Sequence, residues 1–153
     1  MGQAGTYILV LHVSQETEIG VGRLGTFNFP SGYYLYAGSA RGPGGLKARL
    51  ARHLRERKQS RWHIDYLLRE ARVVEIWKAS SPQKLECLWA QALLRMPGAR
   101  IPVYGFGSSD CGCPAHLIYF TSLLSFHTFA RQLEALGAGP PVHREVPDQG
   151  NQD

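Results

Sequence analysis

Apolar positions along the chain follow two periods, one suited to strands and one to helices. From Gly5 to Val13, Tyr7, Ile8, Leu9, Val10, Leu11 and Val13 form a β-prone run that stops at Ser14-Gln15-Glu16, which predicts a strand. Ile19 to Phe29 is a second strand region, broken by Gly20, Gly22 and Gly25, so a hairpin with a bulge or bend is expected. Pro30-Ser31-Gly32 turns the chain, and Tyr33 to Ala37 reads as a third strand.

After Gly42-Pro43-Gly44-Gly45 the period changes. Leu46, Leu50 and Leu54 recur every four residues through Arg57, a helical stripe that sets Arg49 and His53 on a neighbouring face. Ser60 is placed to cap a second helix through Arg69, and Val73 to Trp77 reads as a strand. Ser81-Pro82 has the form of a cap and first turn, with Leu85, Leu88, Trp89, Ala92 and Leu93 as the apolar face until Pro97-Gly98. His116 to Thr121 predicts a last strand. Ser125 to Leu136 predicts a last helix, capped by Ser125 and ended by Gly137. The expected class is α+β: a small, mostly antiparallel sheet with a three-stranded core, an inserted hairpin and extra strands, flanked by helices. Residues 1–137 form one domain in this reading, and 138–153, rich in proline and scattered charge, form a disordered tail.

Composition narrows the class. A chain of 153 residues, 44% of them hydrophobic, suits one domain with a real core. No run approaches the roughly 18 apolar residues of a membrane span, and the start lacks the order of a secretory signal, so a cytoplasmic protein without a membrane partner is expected. Met1-Gly2 with Thr6 matches a myristoylation pattern short enough to arise by chance. Cys87, Cys111 and Cys113 are an odd count, which favours reduced thiols over a disulfide framework.

The net charge of +5 is concentrated. Residues 41–72 hold ten Lys/Arg against three acids, a local +7, while the remainder sums to −2. Arg41, Lys47, Arg52, Arg55, Arg57, Lys58 and Arg61 therefore form a candidate nucleic-acid-binding patch, against the plainer reading of a solvated helix face.

Phosphodiester hydrolysis needs a base for water, positive charge on the phosphoryl oxygens and commonly a carboxylate-bound divalent cation. Tyr7 and Tyr36 on adjacent strands, Arg49 and His53 on the next helix, and Glu86 on a later helix supply candidates for each. Each also has a plain reading, since strand tyrosines pack and helix-face Arg and His are commonly solvated. A phenol, with an ordinary pKa of about 10, serves as a base only beside a cation that favours its ionised form.

These residues carry a resemblance. Gly5-Thr6-Tyr7, Tyr36-Ala37-Gly38, Gly45-Leu46-Lys47-Ala48-Arg49 with His53, and Glu86 resemble the GIY-YIG nuclease superfamily. Val21 to Gly25, Phe29 to Tyr34, Trp62 to Leu67 and Gly105 to Cys111 extend the likeness to its Uri-type branch, also found fused to endonuclease III-like proteins; together the blocks span residues 5 to about 136. The resemblance implies a GIY-YIG-like fold and one-metal hydrolysis. Tyr7 would be general base, Arg49 the phosphate clamp, Glu86 the Mg²⁺ or Mn²⁺ ligand, Tyr36 an orienting group and His53 a proton relay. Thr6 and Ala37 stand where the pattern has Ile, and the inserted hairpin at 14–31 departs from compact members.

Cys111-Gly112-Cys113-Pro114-Ala115-His116 contains soft donors, with Cys87 a further one, but C-x-C without a second pair is wrong for a common zinc finger or ribbon. Structural zinc at Cys111, Cys113 and His116 is therefore not expected. A loop closing beside the site is favoured, in which Ser108, Ser109, Asp110 and His116 contact substrate or water. His63 and Asp65 read as a packed helix start with His63 bonded to backbone, or as substrate contacts.

The expected function is a metal-dependent endonuclease acting on DNA in preference to RNA. The alternative is a non-cleaving nucleic-acid-binding accessory to a DNA repair partner. A zinc-dependent hydrolase centred on Cys111, Cys113 and His116 is a third reading.

Overall fold

The computed structural model describes residues 3–55, 60–108, 111–137 and 140–147. Expectations for Arg57, Lys58, Ser109, Asp110 and the Met1-Gly2 pattern lie outside them. The fold is α+β. Strands β1 (Gly5–Val13), β4 (Gly32–Ala40), β5 (Arg72–Ser80), β6 (Leu117–Phe120) and β7 (His143–Glu145) form one sheet in the order β6-β4-β1-β5-β7, and every pairing is antiparallel. Strands β2 (Thr17–Gly20) and β3 (Thr26–Phe29) form the separate hairpin, with a 3₁₀ turn at Gly22–Leu24 between them.

β1 is central and buried on both faces, which is why Tyr7 to Leu11 is an unbroken apolar run. Tyr7, Leu9, Leu11 and Val13 point to one core, shared with the hairpin and with helices α1 (Gly45–Leu54) and α2 (His63–Leu68). Ile8 and Val10 point to a second, where Trp77, Trp89 and Phe129 pack with helices α3 (Glu86–Leu94) and α4 (Phe126–Ala135). The sheet thus lies between two helical layers.

Three expectations need correction. Ser60 does not cap α2: Trp62 is its N-cap residue, and the buried Asp65 carboxylate accepts the backbone N–H groups of Arg61 and Trp62 at 2.8 and 2.9 Å. α3 begins at Glu86 rather than Pro82, because the Ser81 hydroxyl closes a local turn by accepting Gln83 N–H, and Leu85 N–H donates to the Thr6 hydroxyl. The tail is not without structure, since residues 143–145 pair with β5. There Arg144 forms a two-pronged pair with Glu75 at 3.0 and 3.1 Å, and Lys78 meets Glu145 at 2.6 Å, so the open edge of β5 is covered.

Candidate active site

The β1–β4 register sets Tyr7 opposite Gly38. A Cβ at Gly38 would lie 2.6 Å from the Tyr7 phenol, so only glycine at that position lets the ring pack against the neighbouring strand. Period-two alternation brings Tyr36 to the same face, its ring 6.5 Å from that of Tyr7.

α1 then delivers two side chains one turn apart. His53, buried at 2% exposure, meets the Tyr7 hydroxyl through Nε2 at 2.7 Å. Arg49 Nη1 donates to the Ser39 carbonyl at 2.8 Å, and its guanidinium lies 4.6 Å above the Trp62 ring. Arg52 covers the same indole at 4.2 Å while donating two hydrogen bonds to Asp65, each 3.0 Å.

Glu86 reaches the group from the other helical layer. It stands in the first turn of α3, whose start is tied to β1 by Thr6, and one of its carboxylate oxygens accepts from the Ser39 hydroxyl. Arg41 donates to the Pro82 carbonyl at 2.5 Å, joining the loops before α1 and α3. Ser39 thereby links the guanidinium, through its carbonyl, to the carboxylate, through its hydroxyl.

These groups surround a cavity of about 500 Å³ lined by Tyr36, Gly38, Ser39, Arg49, Glu86 and their neighbours Arg61, Trp62, His63 and Lys84. Tyr7 is buried and packs against Gly38 of the lining rather than lining it. Burial pushes the Tyr7 phenol up to about 12, against the opposing pull of the Arg49 cation. Burial raises Tyr36 further still, with the Tyr7 phenol adding to the effect. Both are protonated hydrogen-bond donors near neutral pH.

The far side of the cavity is the loop from Gly105 to His116. His63 Nδ1 accepts Gly107 N–H at 2.8 Å, as expected for a helix-start histidine bonded to backbone. Gly107 has φ of +72°, and a Cβ there would sit 2.9 Å from Tyr36, so the loop closes directly onto the phenol. His116 is anchored by its carbonyl to Ala37 N–H of β4 at 2.8 Å and by its own N–H to the Phe106 carbonyl at 2.8 Å.

In this loop the sequence expectation fell short. Cys87, next to Glu86 on α3, joins Cys111, Cys113 and His116, and their four donor atoms all lie within 4.8 Å of one another, a group able to hold a metal. Burial holds the Cys87 thiol above its ordinary range, with Cys113 and Cys111 adding to the effect, and depresses His116. Cys87 was a candidate donor in the sequence, but spacing could not show that it arrives from another layer to join the other three.

The remaining expected residues divide. Arg41 and Arg61 are exposed near the cavity, with Arg61 in its lining, and Arg55 is exposed after α1. Lys47 faces a separate groove with Lys78, His143 and Glu145, and Arg52 is engaged with Asp65. Ser108 is buried, and its carbonyl accepts Cys111 N–H at 3.2 Å, which makes it a part of the loop's own framework. Ser39 and Lys84 were not singled out from sequence, and Thr6 and Trp62 entered only as members of the motif blocks. For Ser39 and Thr6 the available signal was adjacency to Gly38 and Tyr7.

The molecule is therefore an α+β domain with a polar cavity bounded by the Tyr36 phenol, a guanidinium, a carboxylate and thiol and imidazole groups. The chain belongs to the family described as Domain of unknown function DUF123, whose model matches residues 6–137. No curated protein and no solved structure matches it. Among the described residues no helix is long and apolar enough to cross a membrane.

Proposed function

We propose that this cavity hydrolyses phosphodiester bonds in DNA, in the manner of the GIY-YIG nucleases that the sequence motifs resemble. The observation that carries the reading is the continuous connection Arg49–Ser39–Glu86, which holds a cation and a carboxylate at one cavity beside Tyr36. A polyanion binder has use for the first, while a carboxylate beside a phosphate site serves a divalent metal.

The donor set fits Mg²⁺ or Mn²⁺. Glu86 is a hard oxygen donor on the cavity wall, and such ions commonly bind one or two protein carboxylates together with substrate phosphate oxygens. A bound ion would supply Lewis acidity at the phosphoryl group.

The chain's own residues do the rest. Arg49, fixed by Ser39 and the Trp62 face, neutralises a phosphoryl oxygen with a cation that needs no reorganisation. Tyr36 remains a phenol and donates a hydrogen bond to phosphate or water. Tyr7 is too weak an acid to ionise in advance and lies behind the Gly38 lining, so its role as base requires both a water reaching its hydroxyl and His53: as the phenol takes a proton from that water, it passes its own to Nε2. Arg41, Arg61 and Lys84 guide the flanking backbone.

The test is incubation of wild type and Glu86→Ala with labelled single-stranded, duplex and flapped DNA in Mg²⁺ and Mn²⁺. Binding survives the substitution while cutting falls by about 10³-fold or more. Equal cutting by both proteins removes Glu86 from the mechanism. Binding without cutting by wild type identifies an accessory module instead.

A further inference from the structure

We propose that Cys87, Cys111, Cys113 and His116 hold one Zn²⁺ ion that clamps the 105–116 loop to the first turn of α3. The geometry is close to that of an occupied site. A tetrahedral zinc with bonds of about 2.3 Å to sulfur and 2.0 to 2.1 Å to nitrogen separates its ligand atoms by roughly 3.5 to 3.8 Å. His116 Nε2 lies 3.5 Å from Cys87 Sγ and 3.3 Å from Cys111 Sγ, and Cys113 Sγ completes a group within 4.8 Å. Small shifts bring all four to one centre.

The donor chemistry selects the ion. Three thiols and an imidazole favour zinc over Mg²⁺ or Mn²⁺, whereas Glu86, the neighbour of Cys87, offers the reverse preference. Four protein ligands close the coordination shell, so the ion is structural and leaves no position for substrate or water. On binding, the thiols yield their protons to solvent, up to three in all, and His116 binds through its neutral Nε2.

The ligands join separate parts of the chain. Cys111 and Cys113 belong to the loop, His116 is bonded through its backbone to β4, and Cys87 stands in the first turn of α3. One ion there fixes the cavity wall formed by Gly107 and His116 against the helix that carries Glu86. That consequence for the cavity rests on the function proposed above, but the presence of zinc does not.

The experiment is elemental analysis of the full chain purified without chelator from zinc-supplemented cells, followed by replacement of the metal with Co²⁺. About one zinc per chain is expected, with intense thiolate-to-Co²⁺ absorption on replacement. Cys111→Ser and Cys113→Ser should each lower zinc content at least tenfold at equal protein concentration, while Glu86→Ala keeps it. If those variants fail to fold, release of zinc from wild type by a thiol-blocking mercurial, with a colour-forming chelator as readout, gives the same answer. Wild type with negligible zinc and no cobalt–thiolate band overturns the proposal, as does iron at the site or a disulfide between two of the cysteines. Zinc without DNA cutting leaves the clamp standing and sinks the nuclease, and cutting by a zinc-free chain does the opposite.

Discussion

Two walls of the same cavity satisfy their polar atoms in opposite ways. On the wall built by β1, β4 and α1, four pairs are matched: Tyr7 with His53, Arg49 with Ser39, Ser39 with Glu86, and Arg52 with Asp65. On the wall built by Cys87 and the 105–116 loop, thiols and an imidazole face one another across 3.3 to 3.5 Å contacts of the kind that a sulfur makes weakly. The first wall is held by its own hydrogen bonds, and the second gathers four donor atoms within 4.8 Å of one another, a group able to hold a metal. The contrast separates the wall proposed to do chemistry from the wall proposed to clamp it.

The largest effect expected on this contrast comes from Asp65→Ala. The carboxylate is fully buried, paired with Arg52 and accepting two backbone N–H groups, so its removal takes an ion-pair partner from Arg52, leaves two backbone donors unmatched and costs about 3 kcal/mol. Chemical denaturation measures this, and zinc content should be unchanged because the damage is confined to the first wall. Burial pushes the Asp65 carboxyl up, but Arg52 and the N–H groups together outweigh it and hold the group below its ordinary range. Its contribution is therefore complete above the unfolded-state value of about 4 and is lost as pH falls through the lower folded value. The stability gap between wild type and Asp65→Ala should narrow on acidification below about pH 4.

Next in size is Tyr7→Phe, which keeps the packing against Gly38 and removes the hydroxyl that meets His53. Cleavage should slow by about 10²–10³-fold with little change in DNA affinity. The pH profile refines this. Below its value of about 12 the ionised fraction of the phenol rises tenfold with each unit of increasing pH, so a pre-ionised base would give a rate rising tenfold per unit from pH 7.5 to 9.5. Transfer of the proton to His53 during the reaction predicts no such rise, and a steep one would remove His53 from its role.

Much of the first wall was legible in the sequence, because it rests on short-range patterns. β1 was bounded correctly at Gly5 and Val13 by a run that only a doubly buried strand requires, and Ser125 does cap α4, accepting Thr128 N–H. What eluded sequence reasoning depends on contacts across the fold. The start of α3 is decided by Thr6, 79 residues before Leu85, and the cap of α2 by a carboxylate inside the helix rather than the serine before it. β7 forms because Glu75 and Lys78 of β5 meet Arg144 and Glu145, a pairing no local composition records. The second wall was half legible: the C-x-C-x-x-H segment stands out, but Cys87 joins it only when α3 packs against β4 and β6.

The most direct measurement of the central claim is the rate of DNA cleavage by Tyr7→Phe, Glu86→Ala and the double variant, with binding followed in parallel. If phenol, guanidinium and carboxylate act as one unit around this cavity, the double variant is no slower than Glu86→Ala alone, and all three still bind DNA. Losses that multiply in the double variant, or cleavage undiminished in either single one, would contradict that account.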